Sequence, residues 1–160
     1  MVSLPIDDDG LAVRPFARDE VVYVSADRAA TRHPVSLEDL MRRPLILYDA
    51  ESGDRDPLRR QLNERAQERG LRLTARVETE TMVMALRLVA DGIGDSYVPR
   101  AHTRASYFPA GLSTASFRPA FHDTFAIVSR RGAVLSPATA TFADGLRDHV
   151  LGLGGSIESA

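Results

Sequence analysis

The chain of 160 residues contains no cysteine, no lysine and no tryptophan. Without cysteine it forms no disulfide, no thiolate metal site and no cysteine nucleophile. Without lysine it has neither Schiff-base chemistry nor the lysine of a phosphate-binding loop. All 20 basic residues are arginine, and 22 acidic residues leave a net charge of −2, so no overall positive field draws the chain to nucleic acid. No apolar run approaches membrane-spanning length, and the opening Met-Val-Ser-Leu-Pro lacks the basic and apolar regions of a secretory signal. The expected setting is the cytoplasm, without membrane contact. At 44% hydrophobic and 26% charged, the composition is that of a globular protein long enough for one core or two small lobes.

The most informative run is 78–99, ETETMVMALRLVADGIGDSYVP. Between Thr81 and Ala90 only Arg87 is charged, so a helix there is expected to be buried nearly all round. Gly92 and Gly94 supply backbone freedom where the helix stops. Tyr97 and Val98 suit a buried strand that Pro99 ends. A helix feeding straight into a strand is half of an α/β repeat, whose loops build ligand clefts.

Similar units flank it. Strands are expected at 11–16, 21–24, 45–48, 71–77, 112–117 and 124–129, from runs of β-branched and apolar residues bounded by charge, glycine or proline. Ser36 and Asp39 frame a capping box with Asp in place of Glu. Asp56 and Pro57 fit the N-cap and first position of a helix over 57–69, with Leu58, Leu62 and Ala66 at i, i+4, i+8 and Gly70 at its end. A short helical turn is expected within 100–108. Ser136-Pro137 opens a last helix with Phe142, Leu146 and Val150 on one stripe, and the small, polar stretch 152–160 reads as a disordered tail. This alternation predicts a mostly parallel α/β sheet.

LVADGIGDSYVP resembles the effector-binding domain of LysR-type transcriptional regulators, in which a helix ending V-x-x-G-x-G precedes a strand ending in proline. Other pieces match in order: Arg14-Pro15-Phe16, Glu20 to Val24, His33-Pro34, Leu37 to Leu40, Pro44 to Tyr48, and Phe125 to Arg131 followed by Ser136-Pro137 and Phe142. Six ordered matches cover the chain from about Leu4 to Leu151. Asp95 departs from the pattern, standing where an apolar residue is typical. The resemblance implies a type 2 periplasmic-binding-protein-like α/β fold: one complete lobe (19–121), part of a second (1–18 and 122–151) and two hinge strands between them. It also implies that the family's winged helix-turn-helix and the opening units of the first lobe are missing, so the chain reads as N-terminally truncated.

The same resemblance implies a small-molecule effector, with carboxylates among the candidates, held between the lobes and signalling to DNA only through the missing head. Residues 78–81 open the buried helix, where free N–H groups and the helix dipole favour an anion. Thr79, Glu80 and Thr81 are therefore ligand candidates, although Thr79 or Thr81 serves equally well as a plain cap. In the loop 49–54, Ser52 and Gly53 offer a hydroxyl and backbone donors, against the reading of a plain surface loop. Tyr48 can line the cleft or the core. Pro99 and Arg100 reach the cleft side if the resemblance holds, and Arg100 can pair with a ligand carboxylate. The helix carrying Leu58, Arg59, Leu62, Arg65 and Ala66 matches the family's dimer-forming helix, which implies a homodimer or higher homo-oligomer.

No catalytic, metal or cofactor site is expected. His33, His102, His122 and His149 are scattered without metal-ligand spacing, no G-x-S-x-G surrounds a serine, and His122 and Asp123 face opposite sides of a strand. Two alternatives stay open: a solute-binding or enzyme domain of the same two-lobe fold, and a truncated remnant without ligand binding. The incomplete first lobe is expected to leave sheet edge and apolar surface uncovered near Val128 and Phe142, favouring dimerisation or aggregation.

Overall fold

Two long strands, β2 (Leu11–Ser25) and β6 (Ser113–Arg130), carry the chain between two units, Met1–Asp19 with His122–Ala160 and Glu20–Phe121. The computed structural model describes residues 1–152 and 156–157. Each long strand merges two strands expected separately. The charged and proline-containing stretches that seemed to divide them stay extended, a conformation the fixed φ of Pro15 and Pro119 permits.

In the first unit, β1 (Val2–Leu4) pairs antiparallel with β6, placing Val2 opposite Ala126 and Leu4 opposite Thr124. Helix α4 (Pro137–Gly152) is capped by Ser136, whose Oγ accepts from Thr139 N at 3.2 Å. The helix forms where the Ser-Pro signal places it, yet it buries none of its residues. Phe142 is 72% exposed, Leu146 and Val150 are half-buried, and Val134 and Leu135 just before the helix are exposed. Val128 is half-buried. Of the stretch expected as a tail, Gly152 closes α4 and β7 (Ser156–Ile157) pairs antiparallel with β2, Ala17 opposite Ile157; residues 153–155 and 158–160 lie outside the described residues.

The second unit holds the main hydrophobic core. Here β5 (Ser96–Pro99) pairs antiparallel with β2, Val21 opposite Pro99 and Val24 opposite Ser96. β3 (Ile46–Leu47) and β4 (Val77–Glu78) pair in parallel, and a parallel bridge links Leu45 to Asp95. The expectation of a mostly parallel sheet is thus corrected. Among the described residues the parallel pairs are β3–β4 and the isolated bridges Leu45–Asp95 and Val35–Phe117, while β1, β5 and β7 pair antiparallel with the long strands. The strand expected over 71–77 shrinks to Val77–Glu78: Arg76 N donates to Leu45 O at 2.7 Å, but residues 71–76 form no ladder.

Three helices cover this core. α1 (Leu37–Met41) starts at the capping box, with Ser36 Oγ accepting from Asp39 N and Asp39 Oδ2 accepting from Ser36 N, both at 3.1 Å. α2 (Pro57–Gln67) starts at Asp56, whose carboxylate accepts from Arg59 N at 2.7 Å. Its Leu58, Leu62 and Ala66 all point into the core, and burying each leucine contributes roughly 1.5–3 kcal/mol. α3 (Met82–Ala90) is capped by Thr81 and buries Ala85, Leu86 and Val89 against β3 and β5. It is not buried all round, as its apolar sequence predicts. Only one face meets the sheet, and Met84 is 52% exposed with Val83 beside it.

The turn from α3 into β5 explains both of its glycines. Gly92, at φ +73°, ends the helix in the left-handed region, and Ile93 N donates back to Leu88 O at 3.0 Å. A Cβ on Gly94 would lie 2.3 Å from the carbonyl oxygen of Pro44, an approach only glycine permits. Asp95, which departs from the family pattern, is buried. It accepts from Tyr23 Oη at 2.6 Å and from Arg43 Nε, and Arg43 Nη2 reaches on to Asp27 at 3.2 Å. Burial and the neighbouring Asp95 raise the pKa of the Tyr23 hydroxyl, so it stays a donor.

Candidate functional site

Ligand sites in α/β sheets gather outside the carboxyl ends of parallel strands. In the second unit β3 and β4 run parallel, and β5 runs parallel to β3 at the Leu45–Asp95 bridge, so the loops after all three leave the same edge. Those loops hold Tyr48, Ser52 and Gly53, then Thr79, Glu80 and Thr81, then Pro99 and Arg100.

The first two loops are joined directly. Ala50 N donates to Thr79 O at 3.1 Å, and Glu51 N donates to the Glu80 carboxylate at 3.2 Å. Thr79 is buried, with its N donating to Leu47 O at 2.9 Å and its hydroxyl to Thr81 O at 3.0 Å. Thr81 caps α3, its Oγ1 accepting from Met84 N at 3.3 Å. The two threonines thus shape the loop, while the amides that open a helix lack partners within it. Glu78 is drawn aside by Arg59, Nη1 to Oε2 at 2.9 Å. Ser52 and Gly53 sit where the loop turns into a short 3-10 segment (Gly53–Arg55); Gly53 adopts φ +51° and its N donates to Asp49 O at 2.9 Å.

Tyr48 lies in the core, its ring tilted against Tyr97 with centroids 5.3 Å apart. Pro99 is buried at the end of β5. Arg100 is already engaged, donating to Glu20 from Nε at 3.0 Å and from Nη2 at 2.7 Å, and to Ser116 Oγ at 3.1 Å. Asp49, which the sequence does not single out, sits at the centre of the loop pair. It is the one non-glycine residue with positive φ among the described residues, +57°. Burial, with Asp56 and Glu80 nearby, raises its carboxyl above the usual range. The signal for it was a lone Asp after an apolar strand, too common to stand out.

Leu58, Leu62 and Ala66 of α2 are spent on the core, so they offer no surface to a partner. Arg59 is held by Glu78, and Arg65 lies over the Phe121 ring, 4.9 Å from its centroid, while donating to Ala120 O at 3.1 Å. A cavity of about 340 Å³ in this unit lies away from these loops, lined by Tyr23, His33, Pro34 and Arg43 among others. Among the described residues no group of three or more His, Asp or Glu could hold a metal ion, and no helix is long and apolar enough to cross a membrane.

The family model of the LysR substrate binding domain matches residues 1–151. The chain belongs to this family. Solved structures agree with the fold at low identity. Full-length BenM, as a mutant, superposes with a TM-score of 0.77 at 20% identity, over 99% of this chain and 52% of BenM. The BenM effector binding domain with its effector benzoate gives 0.76 at 20%, over 95% and 68%. The effector binding domain of QuiR in complex with shikimate gives 0.73 at 20%, over 92% and 68%. The LysR-type chain therefore spans about half the length of full-length BenM. No curated protein matches it. The fold is the type 2 periplasmic-binding-protein-like α/β fold of LysR effector-binding domains, a family of transcriptional regulators.

Proposed function

We propose that the chain is the ligand-sensing module of a LysR-type transcriptional regulator, not an enzyme, working in the cytoplasm. A small-molecule effector binds between its two units and contacts the edge formed by residues 48–53, 79–81 and 99–100. Capture shifts the balance between arrangements of the units, and a winged helix-turn-helix outside residues 1–160 reads that shift on DNA as part of a homo-oligomer. The observation that carries this reading is the Ala50–Thr79 joint, which holds two loops at the carboxyl ends of parallel strands. A carboxylate fits the free amides of α3 and the guanidinium of Arg100. Benzoate, the effector of the BenM domain, and shikimate, held by the QuiR domain, are both carboxylates.

A thermal-shift screen with benzoate, shikimate and short aliphatic acids tests this. A ligand at about 100 times its Kd stabilises by about 2.7 kcal/mol, a rise of several degrees in a domain of this size. A folded sample that no acid stabilises would reject the sensing role. That outcome would favour a second reading supported by the uncovered face of α4, a chain that keeps the fold but binds no effector. The chain alone is expected to leave a promoter fragment unshifted in a gel, and salt-sensitive, sequence-specific binding would contradict this.

A further inference from the structure

Arg100 holds a carboxylate of its own chain. Its Nε and Nη2 converge on one oxygen of Glu20, and Nη2 also donates to Ser116 Oγ. Their side chains are 37% and 26% exposed, so the pair is sheltered enough to persist yet open to a solute. Nη1 of Arg100 keeps its two donors without a protein partner among the described residues. The pair also sits at a telling place. Glu20 is the first residue of the second unit on β2, Arg100 follows β5, and the two strands meet at Val21 and Pro99, one residue from each. Ser116 adds the second long strand, β6.

We infer that Glu20 is a built-in competitor at the effector site: it occupies Arg100 while the site is empty, and an effector carboxylate takes its place on the guanidinium. This deepens the sensing role proposed above and rests on it. The exchange swaps one ion pair for another, so binding selects a planar carboxylate over its neutral amide. It also releases Glu20 on the strand that runs into the first unit, which links occupancy of the site to that strand. Apparent affinity is lowered by the fraction of molecules whose Arg100 is free, so release in about one molecule in ten weakens binding about tenfold.

Calorimetric titration of the chain with benzoate, and with benzamide as its neutral counterpart, tests the exchange. Glu20→Gln should tighten benzoate about tenfold and make its binding more salt-sensitive, because the ligand then forms an ion pair that no longer replaces another. Glu20→Asp, which keeps the charge but shortens the reach, should tighten it less, and it serves if Glu20→Gln fails to fold. The double change Glu20→Gln with Arg100→Gln should lose the gain. Benzoate binding to the parent with affinities within twofold in both Glu20 variants would overturn the competitor role and leave the sensing role standing. A gain that benzamide shares would also overturn it. Benzoate binding to none of the folded proteins would remove both.

Discussion

Gly94, Asp95 and Asp49 each hold a position in the second unit that other residue types fit poorly or change measurably. Gly94→Ala would push a methyl into a backbone carbonyl that cannot swing aside, and it should cost about 2–3 kcal/mol in urea unfolding. A neutral result would mean that the Pro44 turn yields. Asp95→Ala strands the Tyr23 hydroxyl and leaves the Arg43 side chain, 38% exposed, with Asp27 as its remaining carboxylate partner. A loss of about 3 kcal/mol is expected, with Asp95→Asn losing less. Asp49 works in the opposite sense. Its folded pKa lies above the unfolded one, so its contribution is fully present below the unfolded value near ~3.9 and is lost as pH rises through the folded value. Asp49→Asn should therefore melt close to the parent at acid pH and above it at pH 7, and asparagine suits its positive φ. A parent equally or more stable at pH 7 would contradict that electrostatic picture.

At the scale of elements, the sequence spoke most clearly through caps. Ser36, Asp56, Thr81 and Ser136 each start the helix that their hydrogen bonds require, and Gly70 and Gly92 close α2 and α3 with positive φ. Strand extents were less legible. The stretches 17–20 and 118–123, the second with Pro119, fell between expected strands, yet both sit in continuous strands, because extended backbone tolerates the proline φ and the local sequence does not say which groups find partners. Exposure was hardest of all. Met84 and Phe142 look like core residues by composition, but burial depends on what lies opposite, which no local pattern encodes. Phe142→Ser should change stability by less than about 0.5 kcal/mol while reducing apolar-dye binding and self-association. Unchanged dye binding would place the sticky surface elsewhere.

For the whole molecule, the order of elements and the loops at one sheet edge were readable, because apolar periodicity and glycine turns fix where strands end. The internal partners of the candidate residues were not. Nothing in the sequence says that Glu80 receives an amide of the neighbouring loop, that Arg59 removes Glu78, or that Glu20 holds Arg100. These contacts set what the proposed effector would meet: a joined loop pair that includes Asp49, and a guanidinium already carrying a carboxylate. Amide-resolved NMR titration of the 15N-labelled chain with benzoate and shikimate would map the effector contacts residue by residue. Saturable shifts are expected at residues 50–53, 79–83 and 100 with at least one of the two acids. Shifts confined to other surfaces, or none at all from a folded sample, would contradict the proposed effector site.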